Sequence, residues 1–181
     1  LNSFNGINFL VTNLNEVISS GFELETSFRA SPNLTLHAGL TYNEAEYDDQ
    51  VRDSNGVIQT NLAGQQLTNA PELAFSGSGS YEVELANSNM VARAHLDFRW
   101  TDDTNTGSDL DPEKVQEDYF VVNGRIGIGA RDDRWRLDLW AHNLFDEDYF
   151  QVIIDSPIQT GSFSAFLAEP RTWGVTLSGK F

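Results

Sequence analysis

Apolar and polar residues alternate with a period of two along most of this chain. In Ala92-Arg93-Ala94-His95-Leu96-Asp97-Phe98-Arg99-Trp100 every second residue is apolar, and each intervening one is charged or His. Leu34 to Tyr42, Trp135 to Leu139 and Trp173 to Phe181 repeat the pattern, and residues 73–83 and 119–130 carry it with Gly and Ser on the second face. Phe22, Leu24, Thr26 and Phe28 mark a further stretch, with Glu23, Glu25 and Arg29 between them. Alternation of this kind is the mark of strands with one apolar and one polar face. It predicts seven strands, over 16–29, 33–47, 71–85, 90–102, 118–131, 134–145 and 171–181.

The connections alternate in length. Short turns sit at Ala30-Ser31-Pro32-Asn33, Ala86-Asn87-Ser88-Asn89 and Arg131-Asp132-Asp133-Arg134, and long segments at 44–70, 102–118 and 146–169. Short connections on one side and long ones on the other are the plan of a transmembrane β-barrel. A soluble sandwich or lectin-like sheet is the competing reading, but it would turn at short intervals on both sides. The strand faces favour the barrel. One carries Leu34, Leu36, Leu40, Leu96, Phe98, Ile126, Val175 and Leu177. The other carries His37, Arg93, His95, Asp97, Arg99, Asn123, Arg125, Arg136 and Asp138. Mid-strand charge is costly toward lipid and tolerable toward a watery lumen. Aromatics near the strand ends suggest two interfacial girdles: Phe28, Tyr81, Trp135 and Phe181 at the short turns, and Tyr42, Tyr47, Trp100, Tyr119, Phe120 and Trp173 at the long loops.

Charge sharpens this picture. The 181 residues carry 27 acids against 11 Lys and Arg, a net charge of −16. The acids concentrate in the long segments: seven in 102–118 against Lys114, five in 44–70 against Arg52, and five in 146–169 with no base. These segments read as solvated loops. Such a balance excludes a nucleic-acid partner, which needs clustered cations. With no Cys there is no disulfide framework, Cys-ligated zinc or thiol chemistry. No apolar run approaches the roughly 20 residues of a membrane helix. Leu1 to Leu10 lacks the basic start and compact apolar segment of a secretory signal, so either the mature N-terminus or more of the protein is expected to lie outside this chain.

Metal and catalytic readings are weak. His37, His95 and His142 fall on three separate strands without ligand spacing, so lumen lining is the better reading. Asp102, Asp103, Asp109 and Asp111 could offer oxygen ligands to calcium, but the EF-hand spacing is missing and a solvated loop is preferred. No nucleophile–base arrangement suggests an enzyme, and no cofactor is expected.

Several motifs, in this order, carry a family likeness: Gly21-Phe22-Glu23-Leu24-Glu25, Pro32 to Tyr42, Leu67-Thr68-Asn69-Ala70-Pro71-Glu72, His142-Asn143-Leu144-Phe145-Asp146-Glu147-Asp148-Tyr149, and Glu169-Pro170-Arg171-Thr172-Trp173-Gly174 with terminal Phe181. With them, nearly the whole chain resembles the C-terminal part of the β-barrel of TonB-dependent outer-membrane receptors, of the type abundant in sphingomonads and caulobacters. The resemblance implies an all-β antiparallel transmembrane barrel of roughly 22 strands, of which residues 1–181 form the last seven. A plug domain, a TonB box and the earlier strands would lie outside this chain. It implies import of a scarce nutrient, such as a ferric siderophore, a cobalamin or an oligosaccharide, across the cell outer membrane with TonB-coupled energy. The alternative is a ligand-binding sheet domain that does not transport.

The implied partners are outer-membrane lipid and lipopolysaccharide, the TonB complex, the outer-membrane assembly machinery and the small-molecule nutrient. The final strand, with Trp173, Val175, Leu177 and Phe181 on one face, would be the assembly signal, though Gly179 stands where a bulkier residue is usual. Asn143-Leu144-Phe145 would cap the sixth strand at the outer rim. Substrate would meet polar-face residues near the long-loop end, Arg99, Asn123, Trp140 and His142, together with Phe150, Phe163 and Phe166 of the last loop. For Trp140, packing against the plug is the competing role.

Overall fold

The computed structural model describes residues 2–4, 9–11, 16–48, 50–52, 58–107 and 109–180. Phe181, offered above as part of an assembly signal, lies outside the described residues, as do Asp49 and Asp53 of the first acidic segment.

Seven long strands follow the alternation closely: β1 Val17–Arg29, β2 Leu34–Tyr47, β3 Leu73–Glu84, β4 Met90–Thr101, β5 Tyr119–Ala130, β6 Trp135–His142 and β7 Thr172–Gly179. Each pairs antiparallel with its sequence neighbour, giving one meander from β1 to β7. The two-residue strand Gln65–Gln66 extends the outer end of β2. Among the described residues, β1 and β7 pair on one side only, so the sheet is open at both edges.

Two of the three short turns close where the sequence supplies residues that tolerate a left-handed backbone. Asn87 and Asp133 sit at φ 58° and 55°, a region that Asn and Asp visit more readily than most side chains. The sixth strand ends three residues before its expected limit. Asn143 stands at φ 50°, and its buried side chain turns the backbone into the last loop.

The faces sort as the alternation requires. Leu24, Phe28, Ile126, Val175 and Leu177 share the apolar face and are 59–74% exposed, as expected of a surface whose solvent is hydrocarbon rather than a protein core. Two members of the expected outer girdle are misplaced. Tyr47 and Tyr119 have the parity of the polar face. Tyr47 is buried, and Tyr119 stacks on Tyr149.

The long segments are not loose solvated loops. Residues 50–52 pair with 58–61, Thr104–Asn105 with Val115–Gln116, and Phe150–Asp155 with Phe163–Leu167. Leu62 and Ile153 are buried within them. The segments also bond to one another. Asn69 N donates to Asn105 O at 3.0 Å, Phe150 N to Gln116 Oε1 at 2.6 Å, and Ile153 N to Thr106 Oγ1 at 3.1 Å.

Candidate functional site

Because every strand is in register with the next, positions on the polar face line up in rows across the sheet. One row runs Ser27, His37, Ser78, Asp97 and Asn123 through successive paired positions. At its β5 end the row opens into a recess of 380 Å³ lined by Asp97, Arg99, Asn123, His142, Tyr149 and Glu169. Three of the residues expected from the sequence to meet substrate, Arg99, Asn123 and His142, are therefore brought together.

The recess is held in shape by its own hydrogen bonds. Asn123 Nδ2 donates to Asp97 Oδ2 at 2.8 Å, while Asn123 Oδ1 accepts from Asn143 N at 3.0 Å. His95 Nε2 lies 3.5 Å from the other Asp97 oxygen. Arg99 Nη2 donates to Tyr119 OH at 3.1 Å, and its guanidinium carbon sits 5.6 Å from that ring's centre. Tyr119 in turn stacks on Tyr149 with centroids 4.1 Å apart and planes 7° from parallel. A cation, a double aromatic plate and a carboxylate thus share one rim. That combination suits a ligand with both planar and charged parts.

The rim is pinned by Asn143, whose side chain is buried. Its Nδ2 donates to Glu147 O at 2.9 Å and Glu169 O at 3.2 Å, and its Oδ1 accepts from Glu147 N at 2.8 Å. Asp146 Oδ1 accepts from Arg171 N at 2.8 Å. Asn143 and Asp146, just beyond the end of β6, thus staple the start of the last loop to its end.

Trp140 is not in the recess. Its Nε1 donates to Thr176 Oγ1 at 3.1 Å, and its ring lies so close over Gly174 that a Cβ there would fall 2.5 Å from Trp140 Cζ2. The ring also makes a tilted contact with His142, at 5.1 Å between centres. Its packing partner is the neighbouring strand of its own sheet, which no strand pattern reveals without the register. Phe150, Phe163 and Phe166 are separate too, on the outer hairpin rather than the recess. Phe150 and Phe166 are exposed. Phe163 lies beneath the ammonium of Lys114, 5.6 Å from its ring centre.

Lys114 is the residue that sequence reasoning missed. Its side chain is 2% exposed, and Nζ binds Asp109 Oδ2 at 2.5 Å and Asp155 Oδ2 at 2.7 Å. Burial pushes the ammonium's pKa down, but the hydrogen bonds it donates to Asp109 and Asp155 outweigh this and leave it above its ordinary value. Burial likewise raises the Asp109 carboxyl, and the hydrogen bond and charge of Lys114 more than reverse this, holding it below its ordinary value. Asp111 Oδ1 accepts from Glu113 N at 3.0 Å. Asp109 and Asp111 are thus occupied by protein partners, contrary to the solvated-loop reading. Among the described residues no three His, Asp or Glu side chains converge as metal ligands. The signal for Lys114 was present as the lone cation in a segment of seven acids.

A family model described as "TonB dependent receptor-like, beta-barrel" matches residues 1–144. The ferric-pyoverdine M114 receptor PbuA of Pseudomonas sp. (strain M114) is 28% identical over 170 residues, covering 93% of this chain and 19% of that protein. Among solved structures, the ferric yersiniabactin uptake receptor FyuA of Yersinia pestis superposes with a TM-score of 0.72 at 18% identity, covering 89% of this chain and 23% of that one. The siderophore receptor PiuA of Acinetobacter baumannii does so with a TM-score of 0.65 at 21% identity, over 89% and 21%. The chain thus spans about a fifth of the length of the curated relative it matches. In these barrels the apolar face of the sheet meets lipid and the polar face lines the lumen.

Proposed function

The chain belongs to the TonB-dependent receptor-like β-barrel family, and from that premise we propose that it walls part of an outer-membrane receptor importing a ferric siderophore with TonB-coupled energy. The observation that carries the reading is the lumen recess. Arg99, the Tyr119–Tyr149 stack, Asn123 and His142 meet at the long-loop end of the sheet, where a ligand arriving through the loops first touches the wall. Named relatives being receptors for ferric chelates favours a siderophore over a cobalamin or an oligosaccharide. The long loops face the medium and the short turns the periplasm. Lipid and lipopolysaccharide surround the apolar face. The exposed Trp173, Val175 and Leu177 of β7, with Phe181, present the strand that the assembly machinery captures by strand addition.

The test uses the full-length gene in iron-starved cells. Radiolabelled ferric siderophores of hydroxamate, catecholate and pyoverdine types are offered beside labelled cyanocobalamin and a maltodextrin. Uptake of one ferric siderophore, lost on deleting the receptor or TonB and reduced by Arg99→Gln, is expected. Surface binding without TonB-dependent uptake identifies the non-transporting binding module, and uptake of cyanocobalamin or maltodextrin instead overturns the siderophore reading.

A further inference from the structure

The apolar face of the sheet is not uniform. A hollow of 710 Å³ opens on it, reaching from Gly79 and Tyr81 of β3 to Trp173 of β7 and Arg171. Gly79, Leu96, Gly124, Ala141 and Trp173 are paired in turn across these strands. Four spacings between neighbouring strands, of about 4.8 Å each, make this row about 19 Å long, a little more than the about 15 Å that one leaflet's hydrocarbon spans. The row is oblique. Gly79 lies six residues inside the long-loop end of β3, whereas Ala141 and Trp173 lie one residue from the long-loop ends of β6 and β7. The hollow therefore descends from the outer rim into the middle of the sheet.

Small side chains keep it open. Gly79, Ala94, Gly124 and Ala141 all line it, and a Cβ at Gly124 would meet nothing nearer than the His95 carbonyl oxygen, at 4.0 Å. Gly inside a strand gives up packing. Here it leaves room on a surface from which Leu96 and Ile126 otherwise protrude, 48% and 59% exposed. A hollow that faced hydrocarbon and stayed empty would forfeit contacts along its whole lining.

The outer end carries a charge. The Arg residues within the strands, Arg29, Arg93, Arg99, Arg125 and Arg136, all have the polar parity. Arg171 has the apolar one, two residues beyond Trp173 on the long-loop side, and its side chain is 48% exposed. It reaches Leu144 O at 3.5 Å and Asp146 Oδ2 at 3.3 Å. Both contacts are long, and a guanidinium has further N–H groups to offer an anion. Trp173 stands beside it, 72% exposed, as aromatics do at headgroup level.

An apolar trough as long as an acyl chain, with a cation at its headgroup end, is complementary to an anionic lipid. We infer that this hollow is a lipid site, which takes one acyl chain of lipopolysaccharide past Gly124 and Ala141 and a phosphate of the same molecule on Arg171. Continuity with the lipid-facing surface selects a lipid over a protein partner, and a headgroup end on the long-loop side selects the outer leaflet. The site rests on the membrane orientation proposed above and is independent of siderophore import.

The test is binding to the purified, delipidated full-length receptor in detergent, read by native mass spectrometry. Diphosphoryl lipid A is the probe, and its phosphate-free form is the control. Gly124→Leu fills the hollow from an open position and should weaken the tightest-bound lipid A about tenfold or more. Arg171→Gln should weaken diphosphoryl lipid A to the level of the phosphate-free form and leave the latter unchanged. Thr26→Leu, on the apolar face of β1 outside the hollow, should alter neither. An unaltered heat-modifiable migration of each variant shows that the barrel still forms. If Gly124→Leu and Arg171→Gln bind lipid A as the parent does, the face holds bulk lipid alone and the inference falls. It falls too if phosphatidylglycerol binds as tightly as lipid A, or if Gly124→Leu abolishes a dimer of the receptor instead of a lipid adduct. Lipid A binding without siderophore uptake would keep this site and remove the function proposed above, and uptake without lipid A binding would do the reverse.

Discussion

The seven-strand sheet and the three outer segments are built on different logic. In the sheet each residue's surroundings follow from its parity and its partner one strand away. Leu96 lies between Gly79 and Gly124, and Asp97 between Ser78 and Asn123. In the outer segments the decisive contacts join residues far apart in the chain. Lys114 reaches Asp155 across 41 residues, and Thr106 meets Ile153 across 47. The sheet puts its apolar groups outside and needs almost no core. The outer segments behave like a small soluble protein, with a buried Leu62, a buried Ile153 and a buried Lys114 paired to two half-buried carboxylates. The same chain therefore folds by an inside-out rule in one region and the ordinary rule in the other. The recess lined by Arg99, Asn123 and His142 sits at the seam, with Tyr119 from the sheet stacked on Tyr149 from the last loop.

That contrast breaks most readily at Lys114. Lys114→Met leaves two carboxylates facing each other without their cation and should cost about 3 kcal/mol or more of loop docking. Residues 102–118 and 143–171 should become protease-sensitive and lose amide protection, while the sheet's melt in detergent stays where it was. If the whole barrel melted earlier by a comparable amount, the two regions would be one cooperative unit. The pH dependence follows from the same pair. Asp109, held below its ordinary 3.8, gives stability that is present above that value and is lost as acid protonates it. Lys114, raised above 10.5, gives stability that is present below that value and is lost only in stronger alkali. Docking should be flat through neutral pH and fail at both extremes.

The sheet should break by depth and face instead. Leu96→Arg places a charge in hydrocarbon and should cost about 2–4 kcal/mol if near the midplane. Asp97→Asn, one residue on, keeps an acceptor for Asn123 and should cost about 1 kcal/mol or less. Unfolding titrations of the full-length protein in lipid vesicles measure both. Equal costs would mean that the two faces do not see different solvents.

How much of this was legible in the sequence divides along the same line. Period-two alternation located all seven strands to within one to three residues, and parity placed Arg99, Asn123 and His142 on one face. It could not say that they would share a recess, because that depends on register between strands. Nor could it say that Trp140 would lie down on Gly174. Parity puts Tyr47 and Tyr119 on the polar face, and their nearness to strand ends does not outweigh it. The loop contacts were not legible. A lone Lys among seven acids hints at an ion pair, but nothing local tells which acids it meets across 41 residues.

The smallest expected effect lies at the tip of the last outer hairpin, and it tests whether the outer region keeps strain that the sheet avoids. The short turns on the other side place Asn87 and Asp133 in the left-handed region, at φ 58° and 55°, where their short polar side chains are tolerated. The outer tip places Ile158 there, at φ 63°, with 87% of its surface exposed. A β-branched residue is poorly suited to that backbone, and so exposed a side chain recovers little through packing. Gly fits the same φ without a Cβ penalty. Its extra freedom in the unfolded chain offsets part of the gain. Ile158→Gly should therefore tighten the 150–167 hairpin by about 1 kcal/mol at most, read as slower amide exchange at Ser156 and Ser162, whose backbones bond across the tip at 2.8 Å. Faster exchange would mean that Ile158 is held by contacts worth more than its strain, and that the outer tip is packed as tightly as the turns of the sheet.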